Sequence, residues 1–184
     1  AVVDLERAFA DTWAMLGEPL PASALANAAS TEPAGDVALR VIATQPSSTG
    51  TYRLDQLIAA LAHERLWLTD AYFIGVAPYL SALTSASQDG VDVRLLVPGA
   101  SDIPAVAALS RTGYRALLEA GIRIFEWKGS MLHAKTAVAD DRWARVGSTN
   151  LNIASWLGNC EIDVAIENET FVRQLTQQYE RDLE

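Results

Sequence analysis

Thiols, imidazoles and surplus positive charge are all scarce in this sequence. It has one cysteine, Cys160, which rules out an intramolecular disulfide and a metal site of several thiolates. Cys160 reads as a small buried residue without a redox role. The two histidines, His63 and His133, are the only ones available for imidazole chemistry. No apolar run approaches the roughly 18 to 20 residues that a membrane-spanning helix needs. The opening residues do not resemble a signal peptide, since Asp4, Glu6 and Arg7 interrupt them. A net charge of −9 argues against unspecific nucleic-acid binding, which depends on clustered Lys and Arg. What is present suits a globular unit: 184 residues, half of them hydrophobic and 20% charged. The chain opens with Ala rather than Met and reads as a fragment or a processed product.

Residues 1–17 form a tail helix by pattern, with Leu5, Phe9, Trp13 and Leu16 on one face. Residues 18–35, rich in Pro, Ala and Ser without a period, read as a linker. From residue 36 to 184, strands and helices alternate. Strands are predicted at 36–44, 66–70, 91–99, 122–127 and 161–167. Helices are predicted at 52–62, 76–87, 103–120 (one or two) and 170–183. Segments 133–140 and 142–147 form a hairpin turning at Asp140–Asp141. Alternation predicts an α/β fold, and the hairpin makes its sheet mixed, with helices on both faces.

The chemistry concentrates in HAKTAVADDRWARVGSTN, residues 133–150. On a strand, His133 and Lys135 share one face, setting a base or nucleophile beside a fixed cation. Asp140 has the opposite parity, at the strand end, which suits support and charge balance. Gly147 permits a close backbone approach. Ser148 and Asn150 then add short polar groups, and a helix is expected to start near Asn150 or Asn152. Donors at a helix start make a ready anion site. A plain capped turn would use Ser and Asn in the same way. Likewise a hydrogen-bonded core histidine is the plain alternative for His133. His63 reads as a solvated helix-end residue. Tyr72, Phe73, Trp127 and Trp156 either line an apolar entrance or pack in the core. No metal or other cofactor is called for, because a lysine fills the cation role and no ligand spacing is present.

The spacing H-x-K-x4-D-x6-G-S-x-N resembles the signature of the phospholipase D superfamily at every fixed position. Six such positions match by chance on the order of 10⁻⁷ to 10⁻⁸ per start site. TDAYF (69–73), GVDVRLLVPG (90–99), Asp102, LLEAGIRIFEW (117–127) and MLHAKT (131–136) are similar to the C-terminal half of bacterial cardiolipin synthases. DLERAFADTW (4–13) resembles the helix that ends their N-terminal half. Two departures stand out: Asn152 where that branch usually has Asp, and Ala154 where it usually has Arg.

The resemblance implies layered α/β/α architecture and a site shared by two halves. His133 would be nucleophile, forming a phosphohistidine, or the acid/base partner of a second histidine. Lys135, Ser148 and Asn150 would bind the phosphate, and Asp140 belongs to the catalytic motif in a supporting role. Glu161 would accept a hydrogen bond from His133. The implied partners are an upstream half of the same protein (or a second copy), a phospholipid substrate and a peripheral contact with a bacterial membrane, on its cytoplasmic side. The implied reaction is phosphatidyl transfer or phospholipid hydrolysis. Two other readings remain: a single-motif nuclease working as a homodimer, and a noncatalytic scaffold lobe. The acidic charge speaks against the first and the intact motif against the second.

Overall fold

A computed structural model describes residues 1–184 except 28, 30 and 33. The predicted alternation is realised as seven strands: β1 (Leu39–Thr44), β2 (Arg65–Thr69), β3 (Asp92–Pro98), β4 (Arg123–Trp127), β5 (Thr136–Ala139), β6 (Trp143–Gly147) and β7 (Glu161–Ile166). They form one sheet in the order β1-β7-β6-β5-β2-β3-β4. β2, β3 and β4 run parallel, whereas β5, β6, β7 and β1 add on antiparallel, so the sheet is mixed.

Among the described residues five α-helices accompany it: α1 (Val2–Ala14), α2 (Gly50–Leu61), α3 (Ala77–Gln88), α4 (Pro104–Glu119) and α5 (Glu169–Asp182). Alternation along the strands sorts the core into two layers. Leu66 and Leu68, Val93, Leu95 and Val97, and Ala137 and Ala139 pack with Ala59 of α2, Tyr79 and Leu83 of α3 and Leu117 of α4. The intervening residues face the other way. Trp67 and Leu96 meet Tyr179 of α5, and Val138 and Ala144 meet its Val172. Helices therefore cover both faces, and segment 103–120 is one helix. Proline at the start of α3 and of α4 fits positions whose N–H would have no helical acceptor.

Outside this sandwich, α1 has no buried residue, and Phe9 and Trp13 of its apolar face are 58% and 47% exposed. In the segment between α1 and β1, Ala22–Ala24 form a 3₁₀ turn. Three positions of that predicted linker lie outside the described residues. Among the described residues no helix is long and apolar enough to cross a membrane.

Candidate active site

The strand predicted over 133–140 is shorter than its pattern. β5 starts at Thr136, because its pairing with β2 ends at Thr69↔Thr136. Beyond that point β2 leaves, and Asp70 N–H follows β3 by donating to Leu96 O at 3.0 Å. Residues 133–135 keep one ladder bond, Gly147 N–H to Lys135 O at 3.2 Å. His133 and Lys135 meet nevertheless. The Lys135 side chain folds back, its Nζ 2.8 Å from His133 O, 3.2 Å from Nδ1 and 3.3 Å from Nε2. His133 is exposed, whereas Lys135 is 5% exposed. Burial pushes the ammonium down from its ordinary value, and the Asp70 and Glu161 carboxylates oppose that shift.

Ser148 and Glu161 lie on the same cluster. Ser148 Oγ donates to Glu161 Oε2 at 2.5 Å and accepts from Ile162 N–H at 2.9 Å. The other Glu161 oxygen accepts from Asn159 Nδ2 at 3.1 Å. Glu161 thus binds Ser148 and Asn159, not His133 as predicted. Both its oxygens are taken by neighbours in its own corner of the sheet. Asn150 Nδ2 reaches Ser155 Oγ at 3.3 Å, while its Oδ1 is buried without a hydrogen-bond partner.

The predicted helix start after Asn150 is a short π-helical turn, Ala154–Gly158. Asn152 holds it by accepting from Ser155 N–H at 3.0 Å. Its Nδ2 also donates to Tyr72 O at 2.8 Å, a bond that the usual Asp could not make.

Asp140 is not in this cluster. It ends β5 in the left-handed region (φ 52°), which Asp tolerates better than most residues. Its Oδ1 accepts backbone N–H from His63, Glu64 and Arg65 at 3.2, 2.8 and 3.1 Å, fixing the entry to β2. Asp140 thus stands at the far end of β5 from His133, with its carboxylate occupied by main chain. His63 is exposed beyond the end of α2, as its pattern suggested. Cys160 is also exposed, contrary to the buried reading. It sits in the loop before β7, 3.9 Å from Met15 Sδ. Of the four aromatics, Phe73 and Trp156 are core residues, 2% and 0% exposed, so they line no entrance.

Three groups to which the sequence reading gave no polar role, Asp70, Tyr72 and Asp102, join the site. Asp70 is fully buried beneath it, accepting from Tyr72 N–H at 2.9 Å and from Leu151 N–H at 2.7 Å. Burial raises its pKa to about 7, against those two N–H groups and the charges of Arg145 and Lys135. Tyr72 stands edge-on to the His133 ring, centroids 5.5 Å apart, with Lys135 Nζ 5.7 Å from its own centroid. Its hydroxyl donates to Asp102 at 2.9 Å.

Behind the Gly147–Asn150 loop lies a buried ionic network. Arg145 pairs with Asp163 of β7 at 2.8 Å and with Asp55 of α2 at 3.2 Å. Thr149 Oγ1 donates to Asp163, and Trp156 Nε1 donates to Asp55 at 2.8 Å. Burial works against the Arg145 charge, but the two carboxylates outweigh it. Gly147 is needed here, since a Cβ would collide with Asp163. Asp70 lay inside the quoted TDAYF stretch. Nothing local, however, marks a carboxylate whose partner is Leu151, or an arginine whose partner is Asp55.

An imidazole against a buried ammonium, beside short polar groups on a tight loop, is equipped to hold a phosphate and exchange one of its ester bonds. Residues 54–183 match the family described as cardiolipin synthase, PLD-like domain. The chain is 35% identical over 125 residues to cardiolipin synthase 2 of Bacillus anthracis, covering 68% of this chain and 24% of that protein. It is 30% identical over 187 residues to the cardiolipin synthase of Halalkalibacterium halodurans, covering all of this chain and 37% of that protein. The chain thus spans little more than a third of such relatives at most. Its fold is similar to that of Nuc, a phospholipase D family member from Salmonella typhimurium, with a TM-score of 0.68 at 19% identity over 80% of this chain and 94% of that one. Motif, mixed sheet and family match agree: the chain belongs to the cardiolipin synthase, PLD-like domain family of the phospholipase D superfamily.

Proposed function

We propose that this chain supplies one half-site of a cardiolipin synthase-type phosphatidyltransferase or phospholipase. The observation that carries this reading is the contact of the buried Lys135 ammonium with the exposed His133 ring. A cation fixed there is placed for the charge that grows on phosphate oxygens as a bond to phosphorus forms or breaks. His133 acts as nucleophile, giving a phosphohistidine, or as the acid/base for a second histidine. That second histidine comes from an upstream half of the same protein or from a second copy. Residues 1–17 are read as the tail helix of the upstream half and 18–35 as the linker.

Asn150 supports the phosphate role in a specific way. Turning its amide by 180° puts Nδ2 where Oδ1 now lacks a partner, and Ser155 Oγ then donates to Oδ1. Ser148 reaches a phosphate only by releasing Glu161, so Glu161 sets the hydroxyl rather than the imidazole. The substrate class is a phospholipid, met at a bacterial membrane surface on the cytoplasmic side.

The test is product analysis by mass spectrometry on the full-length protein with phosphatidylglycerol vesicles, with His133→Ala as control. Cardiolipin with glycerol, or phosphatidic acid, is expected from the wild type and should fall by at least about 10²- to 10⁴-fold in the variant. Full turnover by His133→Ala would refute the proposal.

A further inference from the structure

The groups around the imidazole differ in charge. Lys135, in contact with the ring, brings a cation, and Ser148 and Asn150 add short polar groups suited to phosphate. Tyr72, edge-on to the same ring, carries a hydroxyl that donates to both Asp102 oxygens at 2.9 and 3.1 Å. Asp102 is exposed and Tyr72 half-buried, so the pair opens to the surface beside the reacting ring. A carboxylate repels a phosphate but accepts hydrogen bonds from hydroxyl groups. Tyr72 is held firmly there. Its N–H is bound by Asp70 and its carbonyl by Asn152 Nδ2. Its ring is edge-on to His133. Met131 Sδ lies 3.4 Å from Asp102 N, marking the far side of the pair.

We propose that Tyr72 and Asp102 form the acceptor subsite, binding the hydroxyl groups of a polyol that competes with water for the phosphoryl group. This rests on the phosphohistidine reading above. In the second half of that reaction the acceptor oxygen bonds to phosphorus while the P–N bond breaks. The electron pair of that bond returns to the imidazole nitrogen. The acceptor proton passes to the other histidine of the complete site, which gave its own proton to the leaving alcohol in the first half. Asp102 takes no proton. It accepts a hydrogen bond from a polyol hydroxyl and so holds the neighbouring hydroxyl toward phosphorus, with the Tyr72 hydroxyl as second partner. A monohydric alcohol has no second hydroxyl to offer, and water gains less from a site shaped for two. Tyr72 and Asp102 therefore set the choice of acceptor.

The experiment measures partition on the full-length protein. Phosphatidylglycerol vesicles are the donor, with deuterated glycerol or ethanol added in separate arms. Cardiolipin, deuterated phosphatidylglycerol, phosphatidylethanol and phosphatidic acid are counted together. The lipid-borne and free polyol are thereby separated. Tyr72→Phe and Asp102→Asn change exposed polar atoms, and thermal melts check their folding. Both variants are expected to lower the ratio of glycerol transfer to hydrolysis about tenfold, and the preference for glycerol over ethanol with it. Unchanged ratios, or equal losses of transfer and hydrolysis, would overturn the subsite while leaving the proposed reaction standing. A wild type that consumes no donor would remove both.

Discussion

Asp70 carries a carboxyl group in a place that water does not reach. Its pKa of about 7 lies above the ordinary 3.8, so between those values the folded chain binds a proton that the unfolded chain has lost. Stability must therefore fall as pH rises through that window. The difference is on the order of 4 kcal/mol. Tyr79, Tyr114, Arg145 and Lys135 are the other ionisable groups that couple to it. Urea melts at pH 4.5 and pH 8 should show the wild type losing several kcal/mol more than Asp70→Asn across that interval. Equal slopes for the two proteins would show that Asp70 does not titrate there. At this scale the sequence was legible where chemistry is local. His133 and Lys135 meet as their spacing suggested, although the backbone there is not strand. Glu161 was misjudged, because a carboxylate between Ser148 and Asn159 has nearer donors than an imidazole.

The elements were legible because their periods are clean, and the ends were less so because ends depend on neighbours. β1 begins at Leu39 rather than 36, where its register with β7 starts at Leu39↔Ile166. The β5–β6 hairpin turns where Asp140–Asp141 indicated, but the turn does more than reverse the chain. Through Asp140 it collects three N–H groups at the entry to β2, 75 to 77 residues away in sequence. Asp140→Ala leaves those donors without their acceptor and puts a Cβ with no compensating side-chain bond at positive φ. A loss of about 2–3 kcal/mol follows. Denaturant titration should show it, while turnover per folded molecule stays near wild type because the residue lies outside the His133 cluster. A catalytic collapse with unchanged stability would place Asp140 in the chemistry instead.

At the scale of the whole molecule, the sandwich is complete without α1. No residue of that helix is buried, and its link to the rest includes Glu6 accepting from Ala26 N–H at 2.6 Å. Removing residues 1–17 should shift Tm by no more than about 2–4 °C. A larger drop in a calorimetric scan would mean that α1 is part of the core unit.

The same sheet also sets a schedule. β1 is an edge strand whose one neighbour in the sheet is β7, with Thr44 opposite Glu161. On a ribosome adding roughly 5–20 residues per second, β1 waits on the order of ten seconds before its partner leaves the exit tunnel. Through that interval Leu39, Val41 and Ile42 sit on a strand with no native pairing open to them, a target for holding chaperones and for neighbouring nascent chains. Ser148, on the loop that follows β6, likewise meets Glu161 only when β7 arrives. A prematurely terminated chain would therefore lack a finished phosphate cradle and carry a loose apolar strand, which links the chemistry of the site to quality control during synthesis.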